Sequence, residues 1–292
     1  MKKLLILSGK GGTGKTTTAA AFVSFAGARA VADCDVDAPN LALVTRAEQP
    51  DAERAFLGSD KAKIDAGLCI SCGECARLCR FGAISRADGG AYAVDELRCE
   101  GCGLCEECCP AGAARLGPDI AGRLRLFAGE GGVFADAELR MGRGNSGKLV
   151  TEVKRELFEN CRDAELAIID GSPGVGCPVM ASMNGVSLAL IVTEPSVSGL
   201  GDLRRLVRTA SLARVKTAVC VNRADVEPSL AAAIEDWCAG QGVPFLGRVP
   251  FDKSAQRAIN EGRSLADIDC PAREALYAIF VRTMELLNLN IT

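Results

Sequence analysis

Hydrophobic residues along this chain fall into two patterns. Leu4 to Ser8, Val31 to Cys34, Leu166 to Ile169, Leu188 to Val192 and Thr217 to Val221 are short, nearly unbroken apolar runs. Runs of that length and composition predict strands buried on both faces, as in a parallel sheet covered by helices. Between them, Thr16 to Ala28 and about Ser146 to Asn160 carry apolar residues at helical spacing, and Pro271 to Leu287 aligns Leu276, Ile279, Phe280 and Leu287 on one face. Strand and helix alternate, so the expected fold class is α/β with a mostly parallel sheet.

That rhythm stops near residue 60 and resumes near 119. The intervening stretch is rich in cysteine and glycine and contains a near repeat, Cys69 to Ile84 being echoed by Cys99 to Ala114. The expected organisation is one domain made of residues 1–59 and 119–292, with 60–118 inserted in it. The insert carries Cys69, Cys72, Cys75 and Cys79, then Cys99, Cys102, Cys105 and Cys109, twice in the C-x2-C-x2-C-x3-C spacing of a two-cluster bacterial ferredoxin. In that arrangement three thiolates from a tight loop grip one cluster, and the fourth, a helical turn away, reaches the other. The expectation is therefore a small ferredoxin-like α+β domain with two 4Fe-4S clusters. Cys69, Cys72, Cys75 and Cys109 would hold the first, and Cys99, Cys102, Cys105 and Cys79 the second. Arg80 stands where such runs usually have proline, and Cys108 is surplus to the eight ligands. Structural zinc fits less well, because its paired cysteines normally sit across a longer gap. A disulfide framework does not suit a chain of 292 residues with an odd total of 15 cysteines and no secretory signal.

Composition narrows the chemistry. There is no histidine, which removes serine triads and histidine metal sites and leaves carboxylates, lysines, backbone amides and thiolates. A net charge of -3 gives no general attraction to nucleic acid or to an anionic membrane. The tail Asn288 to Thr292 has no basic residue, so the last helix is expected to dock on its own domain, without stable membrane association. Free thiols with oxygen-sensitive clusters point to the cytoplasm.

Gly9-Lys10-Gly11-Gly12-Thr13-Gly14-Lys15-Thr16-Thr17 fits G-x-x-x-x-G-K-[ST] between a strand and a helix. Such a loop turns successive amides toward phosphates at the positive end of the helix. Lys15 is expected to hold β- and γ-phosphate oxygens and Thr16 to ligate Mg2+. The extra Lys10 makes the loop resemble the deviant Walker A of the MinD, ParA and Mrp group of P-loop ATPases, which includes the nitrogenase iron protein. The resemblance implies ATP as ligand and an ATP-dependent homodimer in which Lys10 reaches the partner's phosphates. It also implies that Asp35, in Asp33-Cys34-Asp35-Val36-Asp37, orients the attacking water and supports the magnesium shell. Asp170 would bind magnesium through water, the Gly174 amide would sense the γ-phosphate, and Asn222 and the loop at Pro250 would receive adenine. Asn222-Arg223-Ala224-Asp225 also matches a guanine-reading N-K-x-D, which leaves GTP open until affinities are compared. The chain resembles MinD/Mrp-like ATPases with an inserted ferredoxin domain. The function this implies is nucleotide-driven switching coupled to electron transfer or redox gating, with iron-sulfur or metallocofactor assembly as the alternative. The partner would be a redox or cofactor-assembly protein.

Overall fold

The computed structural model describes residues 1–45, 49–129 and 131–290. In chain order the elements are β1 (Lys2–Leu7), α1 (Lys15–Ala26), β2 (Ala30–Asp33), α2 (Leu41–Thr45) and β3 (Ala52–Leu57). Next come β4 (Lys61–Ile64), α3 (Glu74–Leu78), β5 (Ile84–Arg86), β6 (Tyr92–Val94), α4 (Leu104–Glu107) and β7 (Ala114–Gly117). They are followed by β8 (Ile120–Gly129), β9 (Gly132–Leu139), α5 (Ser146–Asn160), β10 (Leu166–Asp170), α6 (Cys177–Met183) and β11 (Leu188–Thr193). The chain closes with α7 (Val197–Leu212), β12 (Thr217–Asn222), α8 (Pro228–Gln241), β13 (Phe245–Val249), α9 (Lys253–Asn260) and α10 (Pro271–Leu287).

Two compact units result. The first comprises Met1–Glu53, Leu124–Glu138 and Ser146–Thr292, and the second comprises Arg54–Arg123 and Leu139–Asn145. The second unit thus takes in more chain than residues 60–118, including a short return segment at 139–145.

The sheet runs β13-β12-β11-β1-β10-β2-β9-β8-β3. From β13 to β9 every neighbouring pair is parallel. β1, β2, β10 and β11 are buried almost throughout, as residues with apolar side chains on both faces must be. Helix α1 ends at Gly27, whose φ of 53° closes it in a left-handed cap, two residues before the end the sequence spacing suggests. The core beneath it joins Phe22 and Phe280 edge to face at 5.2 Å, so α10 is docked on the domain. Among the described residues no helix is long and apolar enough to cross a membrane.

In the second unit, β4 pairs antiparallel with β7, and β5 with β6. A small core of Ala62, Ala83, Ile84, Ala114 and the cysteines Cys99 and Cys105 lies between these ribbons and the short helices α3 and α4.

Candidate functional site

β1 sits between β10 and β11, so the chain changes direction of progress across the sheet there, the position where open α/β sheets bind ligands at the carboxyl ends of strands. The register puts Ile6 beside Asp170 and Asp170 beside Asp33, which gathers the loop after β1 and the acidic ends of β2 and β10. Gly12 and Gly14 adopt φ of 79° and 96°, a region closed to side-chain-bearing residues without strain, and the helix starts at Lys15. A cavity of about 690 Å3 opens there, lined by Gly11, Lys15, Thr16, Thr17, Asp35 and Ser172 among others.

Lys15 Nζ lies 2.7 Å from Asp170 Oδ1 and 3.5 Å from Asp35 Oδ2, and Thr16 Oγ1 donates to Asp170 Oδ2 at 2.6 Å. Asp33 is fully buried and accepts from the amides of Asp35, Asn40 and Leu41, each at 3.0 Å. It therefore fixes the loop that carries Asp35. Three carboxylates share one ammonium. Burial opposes charge on Lys15, but Asp170, Asp35 and Asp33 outweigh it and hold its pKa above the ordinary lysine value. Burial, and then the Asp170 charge, push Asp33 up to about 7; burial likewise raises Asp170 and Asp35 against the pull of Lys15. This excess of hard, negatively charged oxygen beside a threonine hydroxyl suits Mg2+.

The other candidate residues are placed as follows. Lys10 pairs with Glu194 of its own chain at 2.6 Å and donates to Ser198 Oγ at 3.1 Å. Asp202 packs so closely on Gly9 that a Cβ there would lie 2.1 Å from its own. The Gly174 amide donates to Ser8 O at 2.9 Å. Asn222 Nδ2 donates to Thr13 O at 2.8 Å, tying β12 to the loop, while the buried Thr13 Oγ1 has no hydrogen-bond partner among the described residues. Neither Asn222 nor Pro250 is among the described residues lining the cavity, whose rim there is Arg223 and Gln256. Sequence reasoning gave no role to Asp33, Glu194 or Lys154. Lys154 Nζ donates to the carbonyls of Ala181, Ser182 and Asn184 at 3.0, 2.8 and 2.6 Å, holding the end of α6. For Asp33 a signal was available, an acid closing an apolar strand; for the other two there was none.

In the second unit, one apolar recess is lined by Cys69, Cys72, Cys75 and Cys109 together with Ile64 and Tyr92. Another is lined by Cys79, Cys99, Cys102 and Cys105, with Cys75, Phe81 and Leu116. All these thiols are free. The amides of Ala114, Ala113, Ala111 and Gly112 point at Cys109 and lower its pKa, whereas burial raises Cys75 and Cys105. Cys108 Sγ turns away to Cys105 O at 3.6 Å. Among the described residues no three His, Cys, Asp or Glu side chains converge on one metal-ion position. A four-iron cubane is gripped at its corners, so its thiolates surround a recess and do not meet at a point, and the two cysteine-lined recesses, each holding its four expected thiols, suit that donor geometry.

The nucleotide binding domain described as CobQ/CobB/MinD/ParA matches residues 4–265 of this chain. Uncharacterized protein MJ0578 of Methanocaldococcus jannaschii is 29% identical over 291 residues, covering 98% of this chain and 97% of that protein. The iron-sulfur cluster carrier protein of the same organism is 26% identical over 136 residues, 42% of this chain and 47% of its own. The cell division ATPase MinD of Pyrococcus furiosus superposes with a TM-score of 0.59 at 18% identity, over 98% of this chain and 99% of that one, a likeness of α/β P-loop fold. With the match extending over the strands and loops that build the cavity, this chain belongs to the CobQ/CobB/MinD/ParA nucleotide binding domain family.

Proposed function

We propose that the chain is a Mg-dependent ATPase, working as an ATP-dependent homodimer, in which nucleotide-driven closure is coupled to electron transfer through two 4Fe-4S clusters. The observation that carries the reading is the pair of cysteine-lined recesses in a unit spliced into the chain between β2, which leads to Asp35, and β10, which leads to Gly174.

In the nucleotide site the amides of Gly9, Gly11, Gly12 and Gly14 would turn toward phosphate oxygens, with Lys15 moving from Asp170 to the β- and γ-phosphates. Thr16 would ligate Mg2+ directly, and Asp35 and Asp170 would hold its water shell. The bound cation supplies charge neutralisation for the phosphoryl oxygens. Asp35 would orient the attacking water, and Lys10 would leave Glu194 to reach the partner's phosphates. Asn222 and Pro250 would border adenine, Asn222 acting also through the loop it ties down. In the second unit Cys69, Cys72, Cys75 and Cys109 would hold one cluster and Cys99, Cys102, Cys105 and Cys79 the other. These clusters supply one-electron chemistry, and a redox protein would be the partner.

The second reading is cluster or metallocofactor assembly, favoured by the similarity to an iron-sulfur cluster carrier protein over 42% of this chain. The deciding experiment uses anaerobic full-length protein. Reduction potentials that shift on adding Mg-ATP support coupling. Unchanged potentials, with clusters passing to an apo-acceptor during turnover, would reverse the order of the two readings.

A further inference from the structure

The two cysteine recesses are built by the same backbone, repeated thirty residues on. Ser71 and Gly101 have φ of 60° and 67°, Gly73 and Gly103 have 80° and 81°, and Gly82 and Gly112 have 59° and 61°. The Gly67 amide donates to Asp65 Oδ1 at 2.8 Å, and the Leu97 amide to Asp95 Oδ1 at 2.9 Å. Asp65 N donates to Ala113 O at 2.9 Å, and Asp95 N to Ala83 O at 2.7 Å. Even the amide aimed at each crossing thiol is repeated, Ala83 to Cys79 Sγ at 3.4 Å and Ala113 to Cys109 Sγ at 3.2 Å. These repeated backbone contacts are shared by the two sites.

A charge breaks the repeat. Lys61 is only 8% exposed, and its ammonium donates to the main-chain carbonyl of Cys99. The next amide, of Ala62, donates to Cys99 Sγ at 3.4 Å. The exposed Glu96 feels the Lys61 charge only as a minor influence, behind its own pairing with Arg143. Thirty residues on, the equivalent position is Ala91. Each recess is lined by one acidic residue, Glu100 beside Cys99 and Glu74 in the other, the latter pairing with Arg77 at 2.6 Å at the surface, so Lys61 is the charge that has no counterpart.

On the reading that both recesses hold 4Fe-4S clusters, we infer that Lys61 makes the two sites unequal and sets the direction of electron flow between them. A buried cation against a ligand residue favours the state with one more electron, because net charge around a cluster is a main determinant of its potential. The site of Cys79, Cys99, Cys102 and Cys105 is then the higher-potential one. An electron supplied by a low-potential one-electron donor would therefore rest on the Lys61 side, the site of Cys69, Cys72, Cys75 and Cys109 being reoxidised as that side is reduced.

The test is an anaerobic redox titration of the full chain followed by electron paramagnetic resonance, with iron and sulfide counted in the same samples. The parent should hold about eight irons and show two midpoints. In Lys61→Met the higher midpoint should fall by at least tenfold in the reduction equilibrium, about 59 mV for one electron, bringing the two together, and Lys61→Arg should restore the gap. Where Lys61→Met loses a cluster, Lys61→Gln, which keeps a donor for the Cys99 carbonyl without the charge, replaces it. A parent lacking the clusters would overturn the iron-sulfur reading itself. Both clusters present with one shared midpoint in the parent, or with midpoints unmoved in the neutral variants, would overturn the role of Lys61 alone.

Discussion

Gly14 offers a sharp test of how the phosphate loop is held. Its φ is 96°, and a Cβ at this position would stand 2.2 Å from Asn222 Nδ2. Gly14→Ala therefore meets two penalties. Holding an L-residue in the left-handed region costs about 1–2 kcal/mol. Pushing Asn222 aside breaks its hydrogen bond to Thr13 O, about 0.5–1.5 kcal/mol more. The variant escapes both by relaxing the loop in the free protein, and nucleotide binding must then restore it. Apparent affinity should fall by about 1.5–3.5 kcal/mol, on the order of 10- to 300-fold. Equilibrium binding of a fluorescent ATP analogue reads this directly, with the iron content of the second unit as a control for folding. Asn222→Ala separates the penalties. Combined with Gly14→Ala, it removes the collision but leaves the backbone strain, so the double variant should bind better than the sum of the single losses predicts. Strict additivity would mean that the contact between Gly14 and Asn222 does not govern the loop.

Lys10→Ala should keep ATP affinity within a few-fold but lose ATP-induced dimerisation in sedimentation, since Lys10 pairs with Glu194 in its own chain and not with the loop; dimerisation equal to the parent's would refute its action in trans. Burial pushes Lys154 down to about 8 from 10.5, so above about pH 8 the unfolded chain binds this proton more than the folded one does, and stability rises from about pH 8 to 10.5. The rise is at most about 3 kcal/mol and should vanish in Lys154→Met, as urea unfolding near about pH 7.5 and about pH 10 would reveal; an identical slope in the variant would sink the assignment.

The strands that build the nucleotide site were legible because each is a continuous apolar run, and their ends moved by no more than a residue or two. β3 was not, since Ala-Glu-Arg-Ala-Phe-Leu is largely exposed and owes its extended form to its neighbour in the sheet. The P-loop, Asp35 and Asp170 could be named from motifs, but the contacts that set their state lie far apart in sequence. Lys15 reaches Asp170 across 155 residues, and Asn222 reaches Thr13 across 209. The Gly174 amide likewise donates to Ser8, and one Asn222 donor to Thr13. Lys61 and Lys154 look in the sequence like any surface lysine, because a single buried charge leaves no periodic trace.

The splice between β2 and β10 also bears on how the molecule is made. β1 is translated early, yet its two sheet neighbours are β10 and β11, which begin at Leu166 and Leu188. The cysteine-bearing ribbon is closed sooner, when β7 pairs with β4 through Lys61 opposite Gly117. At about 5–20 residues per second on the ribosome, several seconds separate the two events. During that interval the β4–β7 and β5–β6 ribbons are paired while β1 waits with both edges open. On the proposed reading, iron and sulfide could thus reach the cysteine ribbons before the nucleotide site exists, and in a cell short of iron the nucleotide domain would fold with the thiols still bare.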